Sequence, residues 1–258
     1  MPPRRPQPAA RHFALWLRSG APRTKIPATM PNNDLAERPT RVWDLPTRLF
    51  HWTLAVTIVG SVVTGQIGDD LLAWHFRCGY LIFGLLLFRI VWGFVGGRWS
   101  RFTSFIYGPG ALLRYLRGQS RPDEHADVGH NPLGAFSVFA LIGFLMLQVA
   151  TGLVADDEIA NTGPLNRFVS GATASSATAW HKDYGKWILV ALVTLHIAAI
   201  LFYLLRQRKN LVRPMLTGDK PLSANTPAAV DSTASRLFAL LLVALAAGVV
   251  AWVVSMGH

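Results

Sequence analysis

Four stretches of the chain, residues 50–67, 135–155, 187–205 and 237–256, contain no Asp, Glu, Lys or Arg. Each approaches the roughly 20 apolar residues that cross a bilayer core as a helix. Hydrocarbon offers backbone amides no partner, so runs of this length are expected to satisfy their own hydrogen bonds as helices. A fifth stretch, 74–97, is interrupted by Arg77 and Arg89. Its flanking segments LIFGLLLF and IVWGFVGG leave too little polar material for a loop, so it too reads as a span. The balance of 51% hydrophobic against 15% charged residues suits a chain that faces lipid.

Orientation follows from the cations. The segment up to Arg48 holds nine Lys or Arg, residues 98–131 hold five and residues 206–236 hold six. The intervening loops are poor in them: 68–70 has none, and 155–186 has three against four acids. This alternation places the N-terminus in the cytoplasm and, after five spans, the C-terminus outside. The net charge of +11 mostly reflects that asymmetry, and no nucleic-acid partner is expected.

Residues 1–40, rich in Pro, Arg and Ala, read as a disordered basic cytoplasmic tail. Their apolar piece FALWL is too short for a secretory signal, and Met30 is an alternative start. Residues 41–217 hold four spans, 218–235 read as a flexible linker, and 236–258 carry the last span. No internal repeat is apparent.

Topology sorts the eight histidines. His12, His125 and His258 lie in polar segments or at the end and read as solvated. His51 opens the first span and His75 the second, while His181 and His196 lie on the fourth. Ionisable groups within a membrane are costly and point to function. Threading the spans puts His51 and His196 near the inner surface, His75 and His181 near the outer. On one α-helix, His181 and His196 are separated by roughly 22 Å in height and about 60° in azimuth. They cannot share a metal, so each needs a partner from another helix at its own level.

A bare metal ion would require further ligands, and no carboxylate or thiol lies within one turn of His51 or His196. Cys78, the only cysteine, follows His75 by three but reads more readily as a small hydrophobe. Haem supplies four nitrogens itself and asks the protein for one or two. The chain lacks C-x-x-C-H, so the expectation is two non-covalent b-type haems, His51 with His196 and His75 with His181. Arg48, Arg77, Arg89 and Lys182 are candidates to hold propionates. For Arg89 the alternative is snorkelling to the surface. His130, just before the third span, is a candidate for a propionate or quinone contact, against a plain loop histidine.

RLFHW followed by Thr64-Gly65, the WH opening of the second span, GHNPLGA at 129–135, and WHKDYGKW with a second histidine fifteen residues beyond His181 together resemble the bacterial cytochrome b561 and nickel-iron hydrogenase b-type cytochrome family. The resemblance spans about residues 41–220. It implies an all-α, four-helix di-haem bundle in the inner membrane, here with a fifth C-terminal transmembrane helix, and axial ligands from helices one, two and four. It further implies electron exchange between the quinone pool and a partner redox protein, such as a cytochrome c or a hydrogenase-like subunit. The chain then acts either by itself as a quinol oxidoreductase or as the anchor of a hydrogenase-like complex. Bis-histidine ligation disfavours oxygen chemistry, and Asp156, Asp157, Asp183 or His130 are candidate proton acceptors for quinol. A homodimer stays open. A histidine-based metal-ion transporter is the rival from another class.

Overall fold

The computed structural model describes residues 37–68, 71–157 and 161–257. Most of the basic tail, with His12 and Met30, lies outside the described residues, as do Asp69, Asp70 and His258.

Five helices are long and apolar enough to cross a membrane. Helix α1 spans Leu45–Ile67 and α2 Leu72–Val95. After the short α3 (Pro109–Leu116), helix α4 covers Pro132–Val154. Helix α5 (Gly171–Ala179), a π-helical turn (Trp180–Gly185) and α6 (Lys186–Leu205) follow without a break. Helix α7 (Val212–Thr217) precedes the last span, α8 (Thr233–Ser255). Polar caps extend these helices beyond the purely apolar windows. Asp44, Asn131, Ser170 and Ser232 each accept a backbone N–H of the helix they open, satisfying donors that would otherwise lack a partner. The fourth span is therefore 35 residues long and starts at Gly171; the small residues GATASSATA carry too little apolarity to mark it in sequence.

Two segments read from the sequence as tail and linker form a small sheet. Strand β1 (Glu37–Arg41) pairs antiparallel with β2 (Asp219–Ser223), from Glu37 opposite Ser223 to Arg41 opposite Asp219. Arg41 contacts Asp219 at 2.8 Å and Asp231 at 3.2 Å, while Arg236 reaches Asp231 at 2.9 Å. These charges tie the sheet to the start of α8. The sheet rests on Val42, Trp43, Trp99, Val128 and Ala229, which form a core of their own at the end of the molecule that carries the basic loops.

Within the bundle, α1 packs on α2, α4 on α6, and α8 on α2. Helix α8 turns the seven-spaced Ala239, Ala246 and Val253 inward, and the two alanines are small enough to let membrane helices approach closely. Ile82, Leu86, Ile142, Leu145 and Leu189 form an apolar layer at mid-height. In sequence they fall between the residues at the two histidine levels, so the layer separates those levels.

Candidate functional site

His75 on α2 and His181 in the π turn face each other with ring centres 5.9 Å apart and planes at 87°. His75 Nδ1 is 2.8 Å from the Ser61 carbonyl oxygen, and His181 Nδ1 is 2.9 Å from that of Gln148. A carbonyl can only accept, so each Nδ1 carries the proton and each Nε2 keeps its lone pair. Hydroxyls stand beside both contacts, Ser61 Oγ at 3.3 Å and Thr151 Oγ1 at 3.2 Å.

Two matching segments build these cradles. Residues 62–65 read VVTG and residues 149–152 read VATG. In each, the carbonyl of the preceding residue receives the imidazole N–H, and the glycine four positions on clears space for the ring. A Cβ on Gly65 would stand 2.6 Å from His75 Nδ1, and one on Gly152 3.1 Å from His181 Cε1. The V-x-T-G match is only four residues long, too short to stand out as an internal repeat, yet it is the signal in the sequence for Ser61, Gln148 and Gly152. The π turn also revises the geometry read from spacing. It accommodates about one extra residue, which turns His181 by roughly 100° relative to His196 compared with an unbroken α-helix.

A cavity of about 500 Å³ opens at this level, lined by Gly65, His75, Gly79, Gln148, Gly152 and His181 among others. Lys182 also lines it, and so does Lys186, whose ammonium bonds Gln66 Oε1 at 2.8 Å. Arg77 is placed differently, over the Trp74 ring at 4.7 Å, and does not line the cavity. Cys78 packs towards α1, with Sγ 3.5 Å from where a Gly60 Cβ would stand.

At the end with the basic loops, His51 lies within electrostatic reach of His196, and His130 within reach of both and of Arg89. His196 Nδ1 is 3.3 Å from Ser137 Oγ. Among the described residues, four of the six buried side-chain atoms without a partner lie here, Arg48 Nε, His51 Nδ1, Arg89 Nη1 and His130 Nδ1; the other two, Gln148 Oε1 and Trp180 Nε1, lie at the His181 level. Arg89 is 3% exposed, with its guanidinium 4.6 Å from the Phe102 ring centre, so it does not snorkel to the surface. The opposite charge acting on it is that of Asp44, fully buried and already accepting from Thr47 N, Trp92 Nε1, Gly97 N and Ser100 Oγ. Arg48 gives one guanidinium N–H to the Leu216 carbonyl at 2.6 Å. The His130 ring lies between Trp43 and Phe105, at 4.7 and 4.5 Å. Burial, then the Arg89 guanidinium and the other two imidazoles, depress its pKa to about 3.

Residues 42–218 match the family model described as prokaryotic cytochrome b561. The chain belongs to the prokaryotic cytochrome b561 family. It is a multi-pass membrane b-type cytochrome, and α8 lies beyond the matched region. It is 28% identical over 190 residues to the "Probable Ni/Fe-hydrogenase 1 B-type cytochrome subunit" of Escherichia coli, covering 60% of this chain and 80% of the relative. A Cupriavidus necator protein, "Probable Ni/Fe-hydrogenase B-type cytochrome subunit", is 29% identical over 213 residues, 69% of this chain and 86% of the relative. The Azotobacter vinelandii protein of the same name is 24% identical over 219 residues, 72% and 90%. No solved structure matches the chain.

A b-type cytochrome carries haem b, and the residues of this cytochrome fit it. A metal held by two imidazole nitrogens at about 2 Å each sets the ring centres roughly 6 Å apart, close to the 5.9 Å between His75 and His181. Among the described residues no group of three or more His, Cys, Asp or Glu is placed to hold a metal ion; a haem would bring four nitrogens of its own and ask the protein for only one or two ligands. The unpartnered donors Arg48 Nε and Arg89 Nη1 leave room for an acceptor, which a haem carboxylate would supply.

Proposed function

We propose that this cytochrome b carries electrons across the inner membrane through two bis-histidine b haems, between the quinone pool and a partner redox protein. The observation that carries the reading is the facing pair His75 and His181, each with its Nδ1–H on a carbonyl and its Nε2 free. When bound, haem b supplies a one-electron carrier whose potential the protein tunes.

The chain's own residues do the rest. His75 and His181 would hold the haem, and donation from each Nδ1–H to a carbonyl makes the imidazoles stronger ligands while fixing their orientation. His51 and His196 form the second site, roughly 22 Å away along the fourth span. Two stations divide the roughly 30 Å of hydrocarbon into shorter hops, and the mid-height layer around Leu86 and Leu145 keeps water out between them. Arg89 and Arg48 hold carboxylates at the His51 level; Lys182 and Lys186 do so at the other. His130, neutral at physiological pH, has a free ring nitrogen to offer a propionate or a quinone carbonyl. By the distribution of Lys and Arg, the His51 level is the cytoplasmic one.

The names of the relatives, hydrogenase cytochrome subunits, favour the assembly in which the cytochrome anchors a hydrogenase-like partner. An independent quinol oxidoreductase differs from it in partner, and co-purification separates the two. Reduced-minus-oxidised spectra with a pyridine haemochrome assay test the core reading. Two haems per chain are expected in the wild type and one in H75A or H196A. A colourless wild-type protein refutes the reading, and a single haem refutes the pairing.

A further inference from the structure

Gln148 is 7% exposed in an otherwise apolar stretch of α4, where a buried amide is costly unless it is paired. Its pairing is one-sided, because Oε1 has no partner. The side-chain Nε2 donates to the His181 carbonyl at 3.3 Å, while the Gln148 carbonyl receives His181 Nδ1–H at 2.9 Å. The same two residues thus hold each other through two hydrogen bonds of opposite sense. The His181 carbonyl also accepts the Lys186 N–H, five residues on, which closes the π turn. Gly185, in that turn, makes room for the amide: a Cβ there would stand 1.8 Å from Gln148 Oε1. Turning the amide over would set its oxygen against the His181 carbonyl, so one orientation is selected.

The cradle of His75 lacks this device. Ser61 takes the position of Gln148, and its hydroxyl approaches only the imidazole itself. Helix α2 has no π turn. The clamp is therefore particular to His181.

We infer that Gln148, seated against Gly185, is a positioning residue that fixes the rotation of the His181 ring and so sets the near-perpendicular arrangement of the two imidazoles. The inference rests on the haem reading given above. The angle between two imidazole planes governs how the iron d orbitals split. It is therefore read directly in the anisotropy of the ferric low-spin signal in electron paramagnetic resonance, which a merely structural role would not move.

The test uses the full-length, haem-loaded protein. Q148M keeps the side-chain length and removes the donor; G185A reaches the same contact from the other side by displacing the amide. Each is expected to shift one of the two ferric low-spin signals towards lower anisotropy, with two haems per chain retained and the second signal unmoved. Because both variants break one contact, Q148M/G185A should shift that signal no further than the larger single effect. Should G185A fail to fold, Q148M decides alone. An unmoved signal in Q148M with two haems, movement of both signals, or outright loss of a haem each overturns the inference. A wild-type protein without haem instead overturns the proposed function.

Discussion

Gly65→Ala tests whether close approach of the helix backbone to His75 is what supports the ligand. The added Cβ would lie 2.6 Å from His75 Nδ1, against about 3.4 Å for ordinary contact. The ring must then retreat by about 0.8 Å to regain a favourable separation. That movement stretches the 2.8 Å bond to the Ser61 carbonyl towards ~3.6 Å, where it no longer counts as a hydrogen bond. Losing such support from a metal-binding histidine costs about 10–100-fold in affinity, or about 1.4–2.7 kcal/mol. Alanine is the better helix former by about 0.5–1 kcal/mol, so propensity works against the expected loss and sharpens the test. Haem transfer from detergent-solubilised protein to an excess of apomyoglobin measures it. Of the two proposed haems, one should be held about 10–100-fold less tightly. Gly143→Ala, whose Cβ meets nothing within 4 Å, should match the wild type. A G65A protein that holds both haems like the wild type would refute the reasoning.

Asp44→Ala should be severely destabilising, because Thr47 N–H, Gly97 N–H and the Ser100 hydroxyl lose their acceptor. At about 1–3 kcal/mol for each of these three unpaired buried donors the expected loss is on the order of 3–9 kcal/mol in denaturant-induced unfolding. A change below about 1 kcal/mol would show that water replaces the carboxylate. His130 should make the fold acid-sensitive. Its imidazole protonates at 6.5 when unfolded but only near 3 in the native protein, so the unfolded state binds more protons between these values and stability falls as pH falls below 6.5. From pH 7 to 5 this amounts to at most about 2 kcal/mol, and His130→Gln should remove that part of the slope. An unchanged slope in unfolding measured at both pH values would contradict the burial of His130.

Much of this protein is legible in one dimension because the bilayer is a severe solvent. Long windows without charge have one economical structure, which is why five spans could be read off, and the depth of a histidine follows from counting residues along them. Bringing His75 level with His181 needed no more than that count. The second span survived Arg89 because a single buried cation among twenty-odd apolar neighbours does not outweigh their transfer energy.

Azimuth and partnership escaped the linear reading. Spacing alone put His181 and His196 about 60° apart, but the π turn rotates one against the other, and nothing in WHKDYG announces an extra residue per turn. The V-x-T-G segments look like ordinary span sequence until an imidazole from another helix approaches each carbonyl. Arg77 and Lys182 have similar sequence credentials, yet one lies over Trp74 and the other lines the cavity. The strands at 37–41 and 219–223 lie about 180 residues apart and become a sheet only when the bundle brings them together. Sequence alone therefore determined the number of crossings and the heights of the imidazoles, since hydrophobic transfer acts residue by residue. Tertiary structure decided which groups meet at each height, because hydrogen bonds and close contacts depend on directions that separate helices acquire only by packing.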